Sequence, residues 1–238
     1  MNDRSSKRSM IRTNIKIELV VRRLQQDSAD CKSVVFERPI GFNYEAGDWV
    51  DIDFADTSYQ GGKTYSLSSS PTQDELTISF RVGISPFKKK LETVHVGDKM
   101  YISQYGNDYG FHLNNNRSSV LIAGGIGIAP FRSMLKEMFD MTAKNDVQLV
   151  YLNKGDEFLF RDELETWRRN LPNISIEYIV TNNLKRKARE KLLQSLINDT
   201  SNNYYVAGPS AMVSSTLLSL ESMGVAAKNI RTDNFGAY

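Results

Sequence analysis

The chain has 238 residues, 40% apolar and 24% charged, with a formal net charge of +2. That composition is ordinary for one large or two modest globular domains. So small a charge gives no case for nucleic acid, no basic amphipathic helix points to a membrane surface, and no apolar run approaches the ~20 residues that span a bilayer.

One cysteine, Cys31, excludes a disulfide within the chain, which fits a reducing, cytoplasmic setting. It also excludes an iron–sulfur cluster held by this chain alone, which takes about four thiolates. With His95 and His112 the only histidines, no zinc-type ligand cluster forms, so no metal is expected.

Residues 1–13 are polar and basic, lack the apolar stretch of a secretory signal, and read as a flexible tail. From 14 to about 116, short segments alternate apolar and polar: IKIELVV, WVDIDF, ELTISF and KMYIS. Ile15, Ile17 and Leu19 share one strand face, as do Val50, Ile52 and Phe54, and Leu76, Ile78, Phe80 and Val82. Period-two patterning broken by Gly, Pro and Asp predicts an antiparallel sheet or small barrel, interrupted by one short helix at PFKKKLETV.

The texture changes after the polar stretch HLNNNRSS, where the domain boundary is expected. SVLIAGG is a continuous apolar run, as for a strand buried on both faces. Helix PFRSMLKEMFDMTA follows, then strand VQLVYL, helix FRDELETWRR, strand ISIEYIV, helix REKLLQSLI, strand YYVAGP, helix SAMVSSTLLSLESMG and a closing strand at NIRTDNF. This alternation over 117–238 predicts a doubly wound parallel sheet with helices on both faces.

VLIAGGIGIAPFRSML places Gly124, Gly125 and Gly127 between a buried strand and a helix, with Pro130 in the first helical turn. Glycines let a backbone approach a ligand, and Pro at a helix start loses no needed hydrogen bond. Free N–H groups and the helix dipole suit an anion there. The spacing is not GxGxxG. A tight turn that merely needs glycine fits the same letters.

GGKTYSLSSSPTQDELTISFRV crowds Thr64, Ser66, Ser68, Ser69 and Ser70 around Tyr65. Hydroxyls bury badly without hydrogen-bond partners, so something must sit against this strand. An exposed polar edge strand would also explain them.

Four blocks in order, KTYSLSSSP, FRVGISPFKKKL, AGGIGIAPF and YVAGPSAMVSSTLLSLESMGVAAKNIRTDNFGAY, resemble the ferredoxin–NADP reductase superfamily from about residue 14 to Tyr238. The resemblance implies an FAD-binding antiparallel β-barrel over 14–116 and an NAD(P)-binding α/β domain over 117–238. It implies that Tyr65 stacks on one face of the isoalloxazine, with the Ser66 hydroxyl near flavin N5. Thr64, Leu67 and Ser69 would line the ring through backbone and hydroxyl groups. Lys63 stands where the family usually has Arg; it keeps the charge and loses the bidentate fork. Phe80, Arg81, Val82, Gly83, Ser85, Pro86 and Phe87 would hold the flavin and its pyrophosphate, with Ser85 capping the helix. At least two of Lys88, Lys89 and Lys90 read as a solvated face.

By the same resemblance, Gly125, Ile126, Gly127, Ile128 and Pro130 would take the NAD(P)H pyrophosphate. Ala207 replaces a cysteine of the plant-type pattern, and Gly208, Pro209 and Met212 would still flank the dinucleotide. Terminal Tyr238 would cover the second flavin face and move for the nicotinamide. Asp233 stands at an acidic position that serves proton traffic, Phe235 is expected in the core, and Cys31 reads as a small buried hydrophobe. The basic loop TNNLKRKARE, with Lys185, Arg186, Lys187 and Arg189, and Lys154 after VYLN lean the reading to NADPH over NADH. The catalytic set is then Ser66, Tyr65 and Tyr238.

The implied activity takes hydride from NAD(P)H onto FAD and passes electrons to a small carrier: a ferredoxin, a flavodoxin or an oxygenase component. Alternatives are a reductase of free flavin, quinone or ferric complexes, and a non-catalytic flavin-binding interaction subunit. Ser66 and Tyr238 speak against the last.

Overall fold

The computed structural model describes residues 13, 15–56, 63–108, 110–114, 116–197 and 199–235. Tyr238, the expected lid, lies outside the described residues. The chain forms two compact units. One comprises the residues up to His112 together with Arg132–Glu137; the other comprises Leu113–Phe131 and Met138 onward.

The first unit is antiparallel. Its strands are β1 (Ile17–Ser28), β2 (Cys31–Glu37), β3 (Trp49–Phe54), β4 (Lys63–Ser66), β5 (Glu75–Arg81) and β6 (Lys99–Gly106), with helix α1 (Pro86–Leu91) between the last two. They pair in the order β4-β3-β6-β1-β2-β5. A bridge between Leu67 and Ile78 brings the two edges together, reinforced by the Ser68 N–H donating to the Thr77 carbonyl at 2.9 Å. The sheet thereby closes into a barrel, which removes exposed edges. The alternation works as expected: Val50, Ile52, Leu76, Ile78 and Phe80 point into one core with Leu19, Phe36, Leu67 and Met100.

The second unit holds β7 (Ser119–Gly124), α2 (Ile128–Asp140), β8 (Val147–Asn153), α3 (Arg161–Asn170), β9 (Ile174–Val180), α4 (Arg186–Leu196), β10 (Asn203–Pro209), α5 (Ser210–Ser222) and β11 (Ile230–Phe235). Residues Arg132–Glu137 of α2 cluster with the first unit. The strands are parallel, in the order β11-β10-β7-β8-β9. Every residue of β7 is buried, as its unbroken apolar run requires. Ile122, Val150 and Val206 pack under Leu193 of α4 and Val213 and Leu220 of α5. One expectation fails here. Phe235 ends the edge strand only half-buried, outside the core, with no further strand beside it among the described residues. Among the described residues no helix is long and apolar enough to cross a membrane.

Candidate functional site

The order of the parallel strands reverses between β7 and β10, and in open α/β sheets ligands bind at the carboxyl ends of such neighbours. Both strands carry glycine at that end. Gly124 and Gly125 follow the β7 run, and Gly125 has φ +55°. Gly125–Gly127 then make one 3-10 turn before α2 opens at Ile128, with Pro130 inside its first turn. Gly208, at φ +150°, is the last residue but one of β10. The two ends abut. A Cβ on Gly127 would meet the Ala207 carbonyl oxygen at 2.2 Å, one on Gly208 the Gly124 Cα at 3.1 Å, and one on Gly124 Pro209 Cδ at 3.2 Å and Met212 Sδ at 3.1 Å. Gly127, Ala207, Gly208, Pro209 and Met212 are therefore brought together, with the N-terminus of α2 among them. Asp233 pairs with Ala207 in the β10–β11 register and sits beside this turn.

A second cluster lies in the barrel. Tyr65 is half-buried on β4, its ring 6.5 Å from Phe87 in a stacked arrangement and 6.4 Å from Phe80 edge-on. Phe87 and Phe80 are themselves core residues, so they back the tyrosine ring rather than offer surface of their own. Ser66 is buried, opposite Trp49 in the β3–β4 register. Thr64 is exposed, and its hydroxyl donates to Asp51.

Cations gather beside this strand. Burial first, then the charges of Arg81 and Lys63, hold the Lys88 ammonium below its ordinary range, with Glu92 and Cys31 opposing. The Lys88 stem covers Gly83, where a Cβ would meet its Cδ at 2.9 Å. Lys89 is exposed, whereas Lys88 and Lys90 are half-buried; of the two, Lys88 feels the charges of Arg81 and Lys63. Ser85 caps α1 by accepting from the Lys88 N–H at 3.3 Å, Pro86 follows it, and the Gly83 N–H donates to Glu92 Oε1 at 3.3 Å. Val82 donates its N–H to the Asp30 carbonyl. Arg81 also pairs with Asp30 at 3.4 Å; clustered cations suit a polyanion, and a half-buried phenol ring suits a flat aromatic ring system. The residues present fit an FAD-like group.

The serines also find partners within the protein. Ser69 is fully buried, and its hydroxyl lies 3.0 Å from Tyr44 Oη and accepts the Thr77 N–H at 2.9 Å. Leu67 is a core side chain whose N–H donates to the Asp48 carbonyl at 2.9 Å. Ser68 Oγ lies 2.8 Å from Ser79 Oγ, which lies 2.7 Å from Ser33 Oγ; Ser33 donates to Asp27 at 2.5 Å. Ser70 Oγ lies 2.8 Å from Thr72 Oγ1. The hydroxyl crowding thus reflects a turn satisfied from inside.

Sequence reasoning missed what holds that turn. Arg132 Nη1 donates to the Ser68 carbonyl at 2.7 Å and to Gln73 Oε1 at 3.3 Å, and Ser133 Oγ donates to the Ser69 carbonyl at 2.6 Å. Arg38 donates to the carbonyls of Phe42, Pro71 and Gln73. Upstream, Asn107 grips Gly47, whose φ of +103° leaves no room for a side chain against the Phe111 carbonyl. His112 contacts Asp48 Oδ1 at 2.9 Å and Glu45 Oε2 at 2.8 Å through its two ring nitrogens. Arg132 is adjacent to the glycine turn in sequence, but no local pattern says that its partner lies 64 residues away.

The basic loop after β9 is tied to the loop after β8: Thr181 N–H donates to the Asn153 carbonyl at 2.8 Å, and Asn182 N–H to the Lys154 carbonyl at 3.3 Å. Lys154 and Lys185 are both exposed there. Lys185 precedes α4 in extended conformation, with no side-chain cap on the helix start.

Comparison with known proteins gives one family match, two relatives and one similar structure. The Oxidoreductase NAD-binding domain matches residues 121–217. Flavohemoprotein A from Dictyostelium discoideum is 26% identical over 241 residues, covering 92% of this chain and 60% of that protein. Methane monooxygenase component C from Methylosinus trichosporium is 26% identical over 146 residues, covering 60% of this chain and 42% of that protein. The chain spans from 8% to 60% of the length of these and other curated relatives. In structure, a ferredoxin NADP+ reductase from Neisseria gonorrhoeae with bound FAD and NADP matches with a TM-score of 0.78 at 18% identity, covering 92% of this chain and 98% of that one. The glycine turn thus lies in a stretch that matches the Oxidoreductase NAD-binding domain, and the fold is similar to that of a ferredoxin NADP+ reductase.

Proposed function

We propose that this chain is an FAD-dependent NAD(P)H oxidoreductase that delivers electrons to a small carrier protein. The observation that carries the reading is the convergence of a half-buried Tyr65 with Lys63, Arg81 and Lys88 on one barrel. When bound, FAD would supply the acceptor for a hydride from the nicotinamide and a store from which electrons leave.

The chain's own residues then bind and orient. Tyr65, held from behind by Phe80 and Phe87, offers one ring face for stacking. Lys63, Arg81 and Lys88 neutralise a pyrophosphate. Ser66 offers a hydroxyl that neither gains nor loses a proton near neutral pH, so its part is hydrogen bonding. The Gly125–Pro130 turn presents N–H groups of α2 to the dinucleotide phosphates, and Gly208 and Pro209 close the other side. The exposed Lys154 and Lys185 favour a 2′-phosphate, hence NADPH over NADH. Tyr238, outside the described residues, is assigned the second ring face by resemblance to the family. A carrier protein as acceptor is supported by methane monooxygenase component C among the relatives.

The test is anaerobic titration of the flavin-loaded protein with NADH and NADPH in parallel. Bleaching of the yellow absorbance, at lower concentration with NADPH, is expected. A protein that takes up no flavin, or whose flavin stays oxidised with either nucleotide, contradicts the reading.

A further inference from the structure

We infer that Arg132 and Ser133 are positioning residues for the strand that carries Tyr65 and Ser66, an inference that rests on the flavin reading above. β4 ends at Ser66, and the chain then makes one bridge, Leu67 to Ile78, before leaving the sheet. Past that bridge the ladder is broken. Thr77 gives its N–H to the Ser69 hydroxyl instead of to a backbone carbonyl. The Ser68 and Ser69 carbonyls are therefore taken by donors on α2: Arg132 Nη1 at 2.7 Å and Ser133 Oγ at 2.6 Å.

Both contacts are buried, and the first is charge-assisted, the stronger kind of hydrogen bond. Removing either donor leaves a carbonyl in the interior without that partner, and the chain must shift to recover one. Ser68 is two residues from Ser66, so a shift there is passed to Ser66 and Tyr65 with no flexible residue between. A site for a rigid ring needs its side chains held within about 0.5 Å, and side chains held this way depend on the supporting contacts behind them. Arg132 also bonds Gln73 Oε1, which accepts the Ser70 N–H at 2.9 Å, so one guanidinium holds both ends of the turn. Lysine keeps the charge and the donors but not the rigid planar group that fixes their direction.

Arg38 supplies an internal comparison. It clamps the same turn at Pro71 and Gln73, five and seven residues beyond Ser66. Loss of this clamp should loosen the turn without moving the strand.

The experiment uses the full chain and the variants Arg132→Ala, Arg132→Lys, Ser133→Ala and Arg38→Lys. Flavin binding by the unaltered protein is measured first, by quenching of FAD fluorescence on the apoprotein. If it takes no FAD, both the function and this inference fall. If it binds, the expected result is a tenfold or greater loss of FAD affinity in Arg132→Ala, a smaller loss in Ser133→Ala and partial recovery in Arg132→Lys. Each should bring a displaced visible absorption band and an altered midpoint potential. Arg38→Lys should lower Tm and leave band and potential in place. Should Arg132→Ala fail to fold, Arg132→Lys and Ser133→Ala decide. The inference is overturned if these match the unaltered protein in affinity, band and potential, or if Arg38→Lys shifts them equally at the same loss of Tm.

Discussion

A Cβ added at Gly127 lies 2.2 Å from the carbonyl oxygen of Ala207, and 2.8 Å from the Gly208 Cα. These are backbone atoms of a buried central strand, so no side chain can swing away to make room. Gly127→Ala must push β10 from the start of α2 or distort the turn. Overpacking of this kind typically costs about 1–3 kcal/mol. Urea denaturation should show a loss in that range, and NAD(P)H titration should show a KM raised at least tenfold. An alanine variant as stable as the parent would mean that the two chain ends are not in contact in solution.

Tyr65 divides its ring between the Phe80–Phe87 pair and the open side. Aromatic pairing is worth about 0.5–1.5 kcal/mol beyond buried area. Tyr65→Ala should weaken FAD binding about tenfold or more, whereas Tyr65→Phe, which keeps the ring, should stay within a few-fold. Fluorescence titration separates the two. Equal losses would place the weight on the hydroxyl instead.

Glu137 titrates upward from the ordinary carboxyl range, chiefly because it is half-buried and secondly because Glu45 lies near; His112 opposes. An acid raised on folding binds its proton more tightly in the native state. Its destabilising effect is therefore absent at low pH and grows as pH rises from the unfolded carboxyl range through the folded value. Glu137→Gln should raise Tm at neutral pH and leave it nearly unchanged near pH 4. Thermal melts across that window test the sign. A variant that loses stability at neutral pH would show instead that the carboxylate is engaged in a favourable contact.

The Cys31 thiol is pushed up to about 11, first by burial and then by the neighbouring Asp30. Thiolate is the reactive form. Alkylation at pH 8 should be slow in the native protein and fast in denaturant, as mass spectrometry would show. Rapid native labelling would imply that β2 opens readily.

Parallel strands were legible because a strand buried on both faces writes itself as an unbroken apolar run, as in SVLIAG and VQLVYL. The barrel was legible where apolar residues alternate, as along Trp49–Phe54 and Glu75–Arg81. The strand Cys31–Glu37 was marked only by its cysteine. Ser33, Val34, Val35 and Phe36 are consecutively buried there, which blurs the period of two. The run Lys88–Lys90 could be read as mostly solvated, but only the folded chain shows that Lys88 is the residue turned toward Arg81 and Lys63. Ser68 and Ser69 were noticed for the right reason, that buried hydroxyls need partners. Their partners, Tyr44, Thr77, Ser79 and Arg132, come from distant segments, and no local spacing could supply them.

The row of hydroxyls from Ser68 through Ser79 and Ser33 to Asp27 has one proton per oxygen and ends on a carboxylate. An anion only accepts, so Ser33 points its O–H at Asp27 and Ser79 turns its own to Ser33. Ser68 has a second acceptor, the Thr77 carbonyl at 3.2 Å, and divides its one proton between that and Ser79. Two rotors inside the barrel thus share one heading, imposed from a single charge at its margin, and neutralising Asp27 with asparagine would release it.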